Sequence, residues 1–362
     1  MTGAYTRLDR LLFRLAFSGI EIQTAVADVE DAAYERRFRD IEIQKPVFIT
    51  SLPRAGTTLL LEIVAAAPGF ATHTYRDMPF VLCPILWNEI SRPFQQAGQK
   101  KERAHGDGMT ATYDSPEAFE EILWLAFWPA KYREDLILLW TAEDDNPEFE
   151  SFFRKHIRKL VALRTEARGD GSGSRRYVSK NNANIARIPF LRRTFPDSVI
   201  VVPFRNPIDH VGSMLRQQHN FTAIHRADAF AREYMEAIGH FEFGASRRAI
   251  EFRTTAGTLG DSQTATYWLT YWIEAFSFLI GLDPLSFRLF DYDKACARPR
   301  ASLDGLARAI EFEPTGAGVA AAHAFHDSVR YNPRDLALDP SLLARAMAIH
   351  AVLVERAINA TA

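Results

Sequence analysis

The chain is poor in cysteine, carries little net charge and has no long hydrophobic run, and each shortage argues against a class of protein. Cys83 and Cys296 are the only 2 cysteines in 362 residues. They lie far apart, outside any CxxC or His-cluster spacing, which argues against a disulfide framework and a zinc site and predicts two small apolar residues and no metal. No window holds the roughly 18 apolar residues of a membrane-crossing helix. The N-terminal MTGAYTRLDRLLFRLAFSGI is broken by Arg7, Asp9, Arg10 and Arg14, unlike the continuous core of a signal peptide. A soluble cytoplasmic protein without an integral membrane segment is therefore expected. With a net charge of −2, no global field draws the chain to nucleic acid or acidic membranes, and no nucleic-acid partner is expected.

What is present suits a globular chain: 47% hydrophobic and 24% charged residues, and enough length for two domains or one large α/β domain with insertions. The informative stretch is KPVFITSLPRAGTTLLLEIV, residues 45–64. Pro46 to Ser51 reads as a short buried strand, Leu52 to Gly56 as a turn, and Thr57 to Ala67 as a helix. That order gathers unpaired backbone N–H groups at the positive end of a helix dipole, a place for phosphate or sulfate. Arg54 adds a cationic fork, Gly56 permits close backbone approach, and Thr57 and Thr58 add hydroxyls. The alternative is an ordinary strand-to-helix turn with Thr57 as N-cap. The loop lacks the GxxxxGK[ST] pattern of nucleotide-triphosphate sites, which argues against ordinary ATP chemistry.

Residues 5–40 read as a helix with Leu8, Leu11, Leu12, Leu15 and Ile20 on one face, a stripe able to dock on the domain, mediate a homodimer or touch a membrane surface. A second strand is expected over Phe70 to Thr74. The polar segment from His73 to Phe80 would then follow a strand's carboxyl end, where ligands of parallel sheets sit. Residues 96–114 read as a connection. Ser115 and Pro116 read as N-cap and first residue of a helix carrying Phe119, Ile122, Leu123 and Trp128, and another helix is expected over 147–168, ended by the Gly/Ser run 169–174. Residues 177–218 parse as a strand to Lys180, a helix from Asn182 to Phe195, a strand from Ser198 to Phe204 and a helix after Pro207. Such alternation implies right-handed crossovers in a parallel sheet, so Lys180 and Arg205 emerge at the edge that carries the Arg54 loop. Ser213, eight residues after Arg205, could share a phosphate with it.

These motifs resemble the sulfotransferase superfamily that uses 3′-phosphoadenosine 5′-phosphosulfate (PAPS), in the branch with Pro-Arg-x-Gly-Thr-Thr in its first loop, which includes tyrosylprotein and many bacterial sulfotransferases. The matching segment is Pro53-Arg54-Ala55-Gly56-Thr57-Thr58. The resemblance implies an α/β, three-layer P-loop-like sandwich with a central parallel sheet. It also implies a 5′-phosphosulfate site at Arg54, Ala55, Gly56, Thr57 and Thr58, a 3′-phosphate site at Arg205 and Ser213, and Lys180 near the transferring group. It continues into SFRLFDYDKACARPRASLDGLARAIEF, residues 286–312. Arg330, in a tail region that often closes the cofactor in the family, is a further cofactor candidate. On this reading 1–44 is an N-terminal helical segment and 45–362 an α/β domain with helical insertions near 80–170 and 219–285, the second helping to form the acceptor cleft.

The chain departs from the family in several places. Arg54 stands where the small-molecule enzymes have Lys, and Ala55 where many relatives have Ser. The family's terminal Arg-Lys-Gly-x-x-Gly has no clear counterpart after residue 312; Arg253 to Asp261, faintly like it, comes too early and reads as a loop. The resemblance implies catalysis by Arg54 and Lys180, and points to Asp77 as general base, with His73 and His105 as competitors. Arg226 and Arg232, or Arg247 and Arg248, could meet an anionic acceptor, but solvated helix faces explain them better. The acceptor stays open among small molecules, glycans, lipid-linked precursors and peptides. A nucleotide-dependent kinase and a non-catalytic nucleotide-binding protein of the same fold are the alternatives.

Overall fold

A computed structural model describes residues 13–14, 16–17, 19–92, 101–102, 110–168, 176–252, 259–322, 325 and 329–359. Leu8, Leu11, Leu12, Leu15, His105, the Gly/Ser run and most of 253–261 therefore lie outside the described residues. The central sheet holds β1 (Val47–Ile49), β2 (Phe70–Ala71), β3 (Arg176–Lys180), β4 (Val199–Phe204) and β5 (Arg288–Asp291) in the order β2-β3-β1-β4-β5. Every pairing in it is parallel. The chain leaves β1 towards one edge and returns to β4 on the other side, which makes the carboxyl end of β1 the switch point where α/β sheets bind ligands.

Helices cover both faces, as expected. The alternation of the strands divides the core: Val47, Ile49, Val178 and Val201 pack with α2 (Thr57–Ala65) and α8 (Pro299–Ile310), while Phe48, Tyr177, Ile200 and Val202 face the larger core. That second layer is built from α4 (Glu121–Phe127), α5 (Pro147–Arg168), α6 (Pro207–Ala227) and α7 (Ala265–Gly281). α1 (Ile20–Phe38) lies against α5, where buried Lys159 pairs with Glu30 at 2.9 Å. α3 (Pro84–Ser91) fills the same side, α9 (Gly316–Ala322) packs on α2, and α10 (Pro340–Glu355) closes on α7. No described helix is long and apolar enough to cross a membrane.

One expected helix starts later than its signals. Ser115 and Pro116 do not open it; Pro116 bridges Thr74, the Glu117 N–H donates to the His73 carbonyl at 3.0 Å, and the helix begins at Glu121. The Ser115 carbonyl and the Glu117 N–H find partners on Tyr75 and His73, so tertiary pairing overrides a local cap.

Candidate active site

The chain turns from β1 into α2 through residues 50–56. Arg54 has φ 72° and Gly56 φ 93°, and a left-handed non-glycine residue costs about 1–3 kcal/mol unless its surroundings hold it. Two consecutive carbonyls are pinned from behind: His210 Nε2 donates to the Pro53 oxygen at 2.8 Å and Arg205 Nη1 to the Arg54 oxygen at 3.0 Å. His210 Nδ1 accepts from Trp272 Nε1 at 3.2 Å, which fixes the tautomer with the proton on Nε2. Burial, then the charge of Arg205, lowers the imidazole to about 3, so it stays neutral in this role. Gly56 is required twice, since a Cβ there would also come within 2.2 Å of the Tyr292 ring. The first helical bond of α2 runs from the Leu60 N–H to the Gly56 carbonyl at 3.1 Å, so the amides of Thr57 and Thr58 have no partner within the helix. Ala55 is fully buried and has only its backbone to offer an anion.

Arg205 follows β4 directly and Ser213 lies two turns into α6. Arg205 is 4% exposed, and its Nε and Nη2 are buried without a hydrogen-bond partner. Ser213 Oγ is 3.4 Å from Arg54 Nε, and the Tyr292 ring sits 5.6 Å from the Arg205 guanidinium. The two sites expected as separate are thus joined, with Arg54 leaning towards Ser213. Arg330 lies over the first turn of α6, where Nη1 donates to Asp209 Oδ2 at 2.8 Å and the neighbouring Tyr331 N–H to Oδ1 at 2.8 Å. The charge of Arg330 is engaged by Asp209.

A two-lobed cleft opens beside this loop. One lobe reaches Arg54, Thr57 and Thr58; the other is lined by Phe241, Ile250, Trp268 and Tyr271. Pro53, Lys180, Asn182, His240 and Glu242 line both. The helical insertion after α6 therefore helps form the cleft. Asn182 ties loop to wall: its Oδ1 accepts from Thr57 Oγ1 at 3.2 Å and its Nδ2 donates to Glu242 Oε1 at 3.0 Å. Burial pushes the Glu242 carboxyl up, but His240, Lys180 and the Asn182 hydrogen bond outweigh it and hold the group below the usual carboxylate range.

Asp77 is not brought to this cleft. It is 2% exposed and lines neither lobe. Its carboxylate accepts from Arg164 Nη2 at 2.6 and 2.7 Å and from the Thr74 N–H at 2.8 Å. Burial would raise its pKa, yet Arg164 and His73 hold it far below the ordinary range. It therefore closes a short turn as a structural ion pair. His73 is equally buried, 3.3 Å from His156, and Arg76 pairs with Asp114. Three carboxylates do reach the cleft: Glu117, Glu121 and Glu242. Glu121 is consumed by buried Arg187, which it holds at 2.6 and 2.9 Å. Glu242, His240 and Asn182 carry no motif, and sequence reasoning missed them. Among the described residues, no three His, Cys, Asp or Glu side chains gather as a metal site would need.

Comparison with known proteins bears on the family and the fold. No curated protein matches the chain. The sulfotransferase STF9 from Mycobacterium avium is similar in structure, at 13% identity over 89% of this chain and 80% of that one, with a TM-score of 0.50. The sulfotransferase STF1 from Mycobacterium tuberculosis H37Rv is 14% identical over 96% of this chain and 88% of its own, with a TM-score of 0.48. The model of the Sulfotransferase family matches residues 46–261, a span that holds the Arg54 loop, Lys180, Arg205, Ser213 and Glu242. The chain therefore belongs to the sulfotransferase family.

Proposed function

We propose that this sulfotransferase uses PAPS as donor and a hydroxyl or amine as acceptor, with Glu242 as the general base. Arg205 carries the donor reading. A buried guanidinium with two unsatisfied nitrogens is costly in an empty site and is repaid by an anion. Arg205 and Ser213 would hold a 3′-phosphate, while Arg54, the amides of Ala55, Gly56, Thr57 and Thr58, and the Thr58 hydroxyl would hold the 5′ group, the Thr57 hydroxyl being given to Asn182. A bisphosphorylated nucleotide suits both halves of the cluster. PAPS supplies an activated sulfuryl group and is released as 3′-phosphoadenosine 5′-phosphate.

The chain's own part is positioning and charge. The Lys180 ammonium, beside the loop in register with Ile49, offsets negative charge at the oxygen that leaves sulfur. Glu242 takes the proton of the acceptor hydroxyl as its oxygen bonds to sulfur. Asn182 orients Glu242 and is itself bonded to Thr57, so loop and base share one support. Arg54 adds positive charge from the other side.

The test is calorimetric titration of the wild type and Arg205→Ala with 3′-phosphoadenosine 5′-phosphate, 5′-AMP and ATP. Selective binding of the bisphosphate is expected, weakened by roughly 2–5 kcal/mol in the variant, as when one partner of a buried charged pair is truncated. Binding of ATP without the bisphosphate would move the reading to a kinase.

A further inference from the structure

The lobe that does not reach Arg54, Thr57 or Thr58 carries two arginines, Arg247 and Arg248, for which the sequence favours solvated helix faces. They follow a single-turn helix at Gly244–Ser246 and line the cleft instead of a helix face. Arg248 stacks on Phe241 with its guanidinium 4.1 Å from the ring centroid, and its N–H donates to the Phe241 carbonyl at 2.8 Å. Among the described residues its guanidinium has no hydrogen bond or ion pair. Arg247 stands 4.7 Å from the Tyr267 ring centroid and donates to the Tyr267 hydroxyl. Aromatic support of this kind holds a planar cation in place while leaving its edge for a carboxylate or similar oxyanion.

Charge in the lobe points the same way. Its lining cations are Lys180, Arg247 and Arg248, with His240 beside them; its lining carboxylates are Glu121 and Glu242. Glu121 is neutralised by Arg187 from behind the wall, and Glu242 is balanced by Lys180 and His240 at the junction with the loop. Glu236, outside the lining, feels the charge of Arg248 but is paired with Arg232 at 2.8 Å, so the two arginines leave the lining of this lobe with an excess of positive charge. The lobe is also lined by Leu52, Ile137, Ile250 and Trp268, an apolar surface for the body of an organic molecule.

We infer that the acceptor is an apolar-bodied hydroxyl compound that carries a carboxylate or equivalent oxyanion, bound by Arg247 and Arg248 with its hydroxyl turned towards Lys180 and Glu242. This rests on the proposed acceptor lobe and narrows its substrate class. Transfer on such a molecule breaks the acceptor O–H bond, its proton going to Glu242, and forms its O–S bond, while the donor's bridging S–O bond breaks and its electron pair leaves with the nucleotide. The oxyanion takes no part in the step; it fixes which hydroxyl faces sulfur.

The test uses protein saturated with 3′-phosphoadenosine 5′-phosphate and two matched pairs of probes: 4-hydroxyphenylacetate with 4-hydroxyphenylacetamide, and 12-hydroxydodecanoate with its amide. Calorimetry should give at least one carboxylate bound about tenfold or more tightly than its amide, as for loss of one charge-assisted hydrogen bond. That preference should vanish in Arg247→Gln/Arg248→Gln and fall more in Arg248→Gln than in Arg247→Gln, since Arg247 is held by Tyr267. Equal binding within both pairs, no binding by either carboxylate, or a preference that survives the double variant would overturn it. Nucleotide binding is measured on the same preparations. Its retention in the double variant shows an intact fold, and its absence from the wild type would sink the donor reading while the carboxylate preference is judged on protein without nucleotide.

Discussion

Two buried arginines near the cleft differ in what satisfies them. Arg187, fully buried, gives one nitrogen each to both oxygens of Glu121, adds Asn184 Oδ1 at 3.0 Å and Tyr132 Oη at 2.7 Å, lies between Trp124 and Trp140, and leaves Nε alone unmatched. Arg205 spends one nitrogen on the Arg54 carbonyl and leaves Nε and Nη2 unmatched. At similar burial the charge of Arg187 is met by a carboxylate and that of Arg205 is not, which separates a group spent inside the fold from one able to take an anion. The carboxylates repeat the contrast. Asp77 is locked by Arg164, whereas Glu242 is held from one side by Asn182 and lines both lobes.

The largest effect should come from the carboxylates. Glu242→Gln should lower turnover by roughly 10²–10⁴-fold, the worth of a positioned base, with little change in nucleotide affinity or melting temperature. Asp77→Asn should do the reverse, retaining turnover per folded molecule while destabilising the protein by about 3–5 kcal/mol, as expected for a broken buried pair. Steady-state kinetics beside denaturant melts separate the two, and a slow but stable Asp77→Asn would favour Asp77 as the base over Glu242.

The arginines give the next contrast. Arg187→Ala leaves Glu121 buried and unpaired, so it should cost about 3–5 kcal/mol of stability. Arg205→Ala removes a cation with two unmatched nitrogens but also the bond that pins the Arg54 carbonyl, so the ligand-free protein should lose less stability than Arg187→Ala costs, while nucleotide binding falls. Equal destabilisation by both would erase the distinction.

The smallest effect is the pH dependence of the loop's support. His210 titrates near 6.5 when unfolded and at about 3 when folded. The unfolded chain therefore binds the extra proton between these values, and the stability that neutral His210 contributes is full above about 6.5 and is lost as pH falls towards 3. Between pH 6.5 and 5 the loss is up to about 2 kcal/mol. Melts of His210→Asn should show a smaller penalty over that window; an identical slope would mean that other groups carry it.

The sequence by itself determined the parallel sheet, the loop at the end of its central strand, and the emergence of Lys180 and Arg205 at one edge. Each of these depends on a local pattern: an apolar strand, a glycine that permits φ > 0, and a strand-to-helix spacing that leaves little choice of topology. Which polar groups are spent inside the fold and which face the cleft was decided only in three dimensions. Asp77 and Glu242 are ordinary acids in sequence, and Arg187 and Arg205 each stand near the start of a helix. Their roles follow from partners far away along the chain: Arg164 for Asp77, Glu121 for Arg187, and Asn182 for Glu242. Periodicity carries no record of such pairings, because it registers which face of an element is buried but not what a buried charge meets there.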